Sequence, residues 1–285
     1  MKRRDIMNIS QIQILFPGGK TKAVTMSYDD GVTQDAKLIG IFDHYGIKGT
    51  FNINSGFIGQ QDTMVRKGKV IDHKHTNREK IKGLYKNHEV AVHALTHPFL
   101  EKLPKEMVTY QVLEDRKNIE EIVGYPVRGM AYPYGTYSQN VLDALKSCNI
   151  EYSRTTKSSY GFELPEKFLE WSPTCHHTDD KVFDLANKFI ESDEKKLELL
   201  YIWGHSYEFD IDDNWQMMDN LCKLIGKRAE IWYATNIEIV DYLKASKSLK
   251  YSTTGSSIYN PTAKDIWMSI NGNVYNIGSD KTISF

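Results

Sequence analysis

From Ala23 to about Leu243 short apolar runs alternate with amphipathic stretches, and this alternation constrains the fold more than any other feature of the 285-residue chain. The runs AVTMSY, GTFNIN, EVAVHA, VRGMAY, EYSRT, FLEWS, LELLYIW and EIWYA have the length and the β-branched or aromatic content of strands. Between them, TQDAKLIGIFDHYG places Leu38, Ile39 and Phe42 on one helical face and ends on Gly46. KEMVTYQVLEDRKNIEEIVG does the same with Met107, Val108, Val112 and Ile119, and Gly124 terminates it. Strand, helix and strand repeated this many times imply parallel strands joined by crossover helices, and a barrel is the expected closure.

The pattern changes near residue 250. The chain turns polar after Tyr251, and DIWMSINGNVYNIGSDKTISF then alternates around Asn271-Gly272, which marks a hairpin. Residues 1–250 are read as the barrel and 251–285 as a β appendage packed on it, because about 35 residues make a poor independent domain. The most polar stretch, GQQDTMVRKGKVIDHKHTNREK, carries His73 and His75 and is read as a solvated excursion.

Charge excludes some functions. A net charge of −1 supplies no basic field for a phosphate backbone, which argues against nucleic-acid binding. The start MKRRDIMNISQIQILFPGGK is basic but has no apolar core of an export signal, and no run of about 18 apolar residues suggests a membrane span. Cys148, Cys175 and Cys222 are scattered and odd in number, which fits a reducing compartment better than a disulfide framework. The expected location is the cytoplasm.

In a barrel of parallel strands, all C-terminal strand ends face one rim, where catalytic groups collect. The first strand ends in MSYDDG with Asp29 and Asp30, the third in HALTH with His93 and His97. RGMAYPYG brings Arg128 and the Tyr132-Pro133-Tyr134-Gly135 turn to the same rim, and YIWGH brings His205. Taken singly, the acidic doublet reads as a turn with a helix cap, the two histidines as packing, and His205 as a satisfied core residue. Together they put four chemically competent features on one rim. Two imidazoles and one carboxylate suit a divalent metal, Zn²⁺ first and Co²⁺ or Ni²⁺ after it, and the spare carboxylate can then act as a general base while His205 donates a proton.

MSYDDG, HALTHP, AYPYG and YIWGH, in that order and at those intervals from about Lys22 to about Leu243, resemble the successive motifs of the polysaccharide deacetylases, the NodB-homology group of carbohydrate esterase family 4. The resemblance implies a distorted (β/α)7-8 barrel and metal-dependent removal of an acetyl group from an N- or O-acetylated carbohydrate. It implies Asp29 as base, Asp30, His93 and His97 as metal ligands, His205 as acid, and the Tyr134 backbone N–H as an oxyanion donor. The family arginine that orients the catalytic aspartate has no counterpart at Ala131, and Arg128 is the stand-in, although strand alternation points it to the opposite face. Ala94 stands where a hydroxyl residue is usual. The fourth motif is matched only by FLEWSPTCHH, which leaves either Glu170 and Trp171, or His176 and His177, to line the site. Tyr134 and Trp171 are the expected sugar platforms, with Tyr137, Tyr207 and Trp215 as further aromatics near the rim. Two other readings keep the fold: a hydrolase of a small non-sugar amide, and a catalytically weakened carbohydrate-binding protein.

Overall fold

The computed structural model describes residues 11–193 and 195–285. Residues 1–10, the first half of the segment read as lacking an export signal, lie outside the described residues. Eight parallel strands build the central sheet: β1 (Lys22–Asp29), β2 (Gly49–Ile53), β3 (Glu89–Val92), β4 (Gly129–Ala131), β5 (Tyr152–Arg154), β6 (Cys175–His176), β7 (Glu198–His205) and β8 (Ile231–Tyr233). Their order is β5-β4-β3-β2-β1-β7-β6, and β8 pairs with the first half of β1. All residues of β1 are buried, as a central parallel strand covered on both faces requires.

The sheet curls into a distorted barrel. The segment 171–177, which carries β6, bridges β7 to the end strand β5. Trp171 exchanges backbone hydrogen bonds with Ser153 and Thr155, and Thr174 and His177 donate to Tyr201 and Trp203. FLEWS is therefore not a strand. A 3-10 turn occupies Phe168–Glu170, and only Trp171 bridges to Arg154. The pairing residues are instead Cys175 and His176.

Helices cover the sheet where the apolar periodicity places them. The first, Asp35–Tyr45, buries Leu38, Ile39 and Phe42 and stops at Gly46 with φ 68°, a left-handed conformation that glycine adopts without Cβ strain. Lys105–Val123 ends the same way at Gly124, φ 82°. Met107, expected on its buried face, is exposed instead, because the buried stripe runs through Val108, Gln111, Val112, Asp115 and Ile119 and Met107 lies to one side of it.

Two features lie outside the barrel. The stretch read as a solvated excursion folds into a hairpin, Thr63–Arg66 with Lys69–Asp72, followed by a helix at Arg78–Leu84. At the other end, Ile266–Ile270 and Asn273–Ile277 form the hairpin around Asn271 and Gly272, both at positive φ. Ile12–Leu15 adds a third antiparallel strand to it. Ile266, Met268 and Ile270 bury against Phe16, Tyr242 and the barrel residues Ala23, Leu199 and Tyr201.

Candidate active site

Register brings the chemistry together. Asp29 ends β1 with Asn52 of β2 on one side and His205 of β7 on the other. The chain then leaves each strand through a strained residue: Asp30 (φ 77°), Ala94 (62°), His97 (52°) and Tyr134 (59°) are all non-glycine residues in the left-handed region. Such conformations cost free energy and persist where surrounding contacts enforce them, and here Asp30, His97 and Tyr134 line one cleft. Asn54 Nδ2 donates to the carbonyls of His93 and Ala94, and Gln111 holds the next residues through Leu95 and Thr96.

Asp30, His93 and His97 each direct one ligand atom to a common space, all within 4.8 Å of one another. His93 Nε2 is 3.7 Å and His97 Nε2 4.0 Å from Asp30 Oδ1. His93 Nδ1 donates to the Ala131 carbonyl at 2.8 Å, which turns Nε2 into the cleft between Asp30 and Asp29, 3.7 Å from an oxygen of each. The His93 backbone N–H donates to buried Asp115, whose other oxygen accepts from Ser55 N at 2.6 Å. Burial, then the neighbouring His93, pushes His97 down to about 4, so its imidazole is neutral near pH 7. Two imidazoles and one carboxylate fit a divalent cation.

Asp29 belongs to a different environment. Its Oδ1 accepts from Asn52 Nδ2 at 2.9 Å, and its Oδ2 pairs with the guanidinium of Arg154. Burial pushes the carboxyl up. Arg154, followed by His93 and His205, more than offsets this and holds it at about 2. Asp29 is thus ionised while buried.

Arg128, the expected stand-in for the family arginine, is not at the site. It lies before β4, where its guanidinium makes a two-pronged pair with Asp241 and a further contact to Glu151. Strand alternation is the reason, since Arg128 points away from the face that carries the rim. Arg154 occupies the position instead. It is fully buried, stacks 4.2 Å over the ring of Trp203, and is the register partner of Ala131 on the adjacent strand. The guanidinium has moved one strand across at the same level of the barrel.

His205 Nε2 lies 3.9 Å from Asp29 Oδ2, on the opposite side of Asp29 from Asn52. Burial pushes its imidazole down, but the carboxylates of Glu208, Asp30 and Asp29 more than offset this and raise it to about 9. Ser206, next in sequence, donates to buried Asp35 at 2.6 Å and fixes this turn to the first helix.

These groups line a cleft of about 540 Å³ together with Tyr134, Tyr207, Arg66, His73 and His75. The hairpin insertion therefore walls the site, which polarity alone did not reveal. Tyr134 is 51% exposed, stacks on Phe99 at 3.8 Å, and meets His97 edge-on at 4.5 Å. Trp171, the other expected platform, is only 1% exposed. It packs on Tyr152, Phe168 and Tyr201 beneath the barrel closure and cannot meet a ligand in the cleft. Tyr137 stacks on Tyr132 and hydrogen-bonds Glu170, while Trp215 packs on Phe209, so neither joins Tyr207 at the cleft.

Residues 17–153 match the family model described as polysaccharide deacetylase. Among solved structures, a candidate polysaccharide deacetylase from Mycobacterium smegmatis aligns over 82% of this chain and 94% of its own, with 17% identity and a TM-score of 0.58. The Xyl-CE4 domain of a multidomain xylanase from the hindgut metagenome of Trinervitermes trinervoides aligns over 81% and 95%, with 16% identity and a TM-score of 0.52. The chain spans 55% of the Streptococcus pyogenes deacetylase PplD, using 46% of its own length, at 19% identity and a TM-score of 0.40. No curated protein matches significantly. In sequence over residues 17–153, and in fold over most of its length, the chain is matched to the polysaccharide deacetylases.

Proposed function

We propose that the protein is a metal-dependent hydrolase that removes acetyl groups from an acetylated carbohydrate, with an N-acetylated amino sugar as the first substrate class. The observation that carries this reading is the separation of two adjacent carboxylates. Asp30 faces the imidazoles of both His93 and His97, whereas Asp29, which shares His93 as a neighbour, is paired with Arg154 and flanked by His205. Asp30, His93 and His97 would hold the ion, Zn²⁺ by donor set, which supplies positive charge beside the acyl carbonyl.

In this reading Asp29, ionised by Arg154, accepts a proton from the attacking water as its oxygen bonds to the acetyl carbon. His205 Nε2 donates a proton to the sugar nitrogen as the C–N bond breaks, giving acetate and a free amine. The Tyr134 backbone N–H supplies a hydrogen bond to the oxygen that gains charge. The exposed Tyr134 ring offers a face to a sugar ring. A cleft of about 540 Å³ lies within the usual range for small ligands, so it suits a short oligosaccharide and also admits the small non-sugar amide of the second reading.

Acetate release from N-acetylated chitooligosaccharides, from O-acetylated xylan and from a panel of small amides distinguishes these readings. Release from the chitooligosaccharides, abolished by Asp29→Asn and by His205→Ala, is the expected result. Turnover of small amides alone would transfer the function to the second reading, and glycan binding without turnover of any substrate would favour the weakened binding protein.

A further inference from the structure

We propose that His176, His177, His205 and Glu208 form a second divalent-cation site beside the first, with the nitrogen-and-oxygen chemistry that selects zinc-like ions. Glu208 Oε2 lies 3.1 Å from His176 Nε2, 3.4 Å from His177 Nε2 and 3.3 Å from His205 Nδ1. Ligand atoms on a tetrahedral ion with bonds of about 2.0–2.1 Å stand roughly 3.3–3.4 Å apart. His176 and His205 thus each place a ring nitrogen beside one carboxylate oxygen at the spacing of ligands that share an ion, and His177 Nε2 approaches the same oxygen from the buried side. One donor atom each from His176, His205 and Glu208 falls within a 4.8 Å sphere of mutual separation.

The unmet polar atoms are the independent sign. His205 Nδ1 and both ring nitrogens of His177 are buried without a hydrogen bond, although two of them are this close to a carboxylate. Orphaned buried ring nitrogens are costly, and an ion between them and Glu208 would satisfy His177 Nε2 and His205 Nδ1 at once. A proton-sharing cluster accounts for less, since one carboxylate balances one imidazolium and three imidazoles converge on it.

The rings are held in place for this. His177 is fully buried between Tyr28 (5.6 Å, 12°) and Phe209 (4.3 Å, 24°). Its Nδ1 lies over Gly204, where an added Cβ would meet it at 2.0 Å. His176 Nδ1 touches Thr178 Oγ1 at 2.8 Å and Thr178 N at 3.2 Å. The Thr178 backbone N–H donates to Nδ1, so ligation through Nε2 requires the Nε2 proton that otherwise points at Glu208 to leave as the ion binds. Ligation through His205 Nδ1 displaces the proton from that nitrogen and leaves Nε2–H toward Asp29.

The test is a count of bound metal. The full chain is stripped with chelator, loaded with Zn²⁺ alone and dialysed, and the ion content per chain is measured, with the visible spectrum recorded after Co²⁺ loading. Wild type is expected to hold two ions, Glu208→Gln one and Asp30→Asn one, with different Co²⁺ spectra for the two variants. His176→Gln, at a partly exposed position, repeats the loss without disturbing the buried stack, and thermal unfolding of each metal-free form confirms folding. A wild type whose single ion survives Asp30→Asn and is lost in Glu208→Gln would support this site and sink the first. One ion or none in wild type, with Glu208→Gln and His176→Gln unchanged, would overturn the proposal.

Discussion

Arg154 and Asp29 are a buried ion pair, and removing one partner should expose how much of the site depends on it. Arg154→Met leaves a carboxylate with no adjacent guanidinium at a position fully enclosed by protein. Breaking a buried pair by deleting one member costs about 3–5 kcal/mol, because a charge is left unmatched. At roughly 2–4 °C per kcal/mol for a chain of this size, the melting temperature of either single variant should fall by roughly 6–20 °C. Asp29→Asn leaves the guanidinium unmatched and should cost a similar amount. In the double variant no charge remains, Asn52 still offers its amide, and the two losses should not add. Urea unfolding of the four proteins at pH 7 in chelator gives the coupling directly, expected at about 2 kcal/mol or more. Single losses below about 1 kcal/mol that sum in the double variant would refute the view that Arg154 is the counter-charge of Asp29.

Three further outcomes follow from the structure. Arg128→Met should cost about 1 kcal/mol through its partly exposed pairs with Asp241 and Glu151 and leave kcat/KM unchanged, which steady-state kinetics checks. Burial raises Glu89 from its ordinary 4.5 to about 7, so the folded chain holds its proton more tightly than the unfolded one. Stability should therefore be fully present below about pH 4.5 and decline as pH rises toward 7, by an order of 3 kcal/mol, and Glu89→Gln should flatten that slope in urea unfolding. Gly204→Ala drives a methyl into His177 and should cost about 1–3 kcal/mol by differential scanning calorimetry together with one bound ion.

Much of this was legible because it rests on local rules. The alternation gave the barrel strands that pair in the structure, Gly46 and Gly124 stop their helices in the left-handed conformation, and Asn271-Gly272 turns the C-terminal hairpin. Asp29, Asp30, His93, His97 and His205 reach one rim because each follows a strand in a parallel sheet. What failed to be legible depends on lateral register. EYSRT was read as a strand, yet only its pairing with β4 sets Arg154 opposite Ala131 and over Asp29. An arginine at the C-terminal end of a barrel strand was the available signal. Trp171 took its expected role from nearness to a motif, but the bridge to Arg154 turns it into the closure of the barrel. The hairpin with Arg66 and its neighbours His73 and His75 reaches the cleft by folding back over long sequence distance, which no local pattern encodes.

The central claim is that Asp30 binds an ion and Asp29 does not. Calorimetric titration of the metal-free chain with Zn²⁺, run in parallel on wild type, Asp30→Asn and Asp29→Asn, tests it most directly. Asp30→Asn should lose one binding event, while Asp29→Asn should keep every event and release no acetate from N-acetylated substrates. Equal loss of zinc in both variants, or in neither, would contradict the division of labour between the two carboxylates.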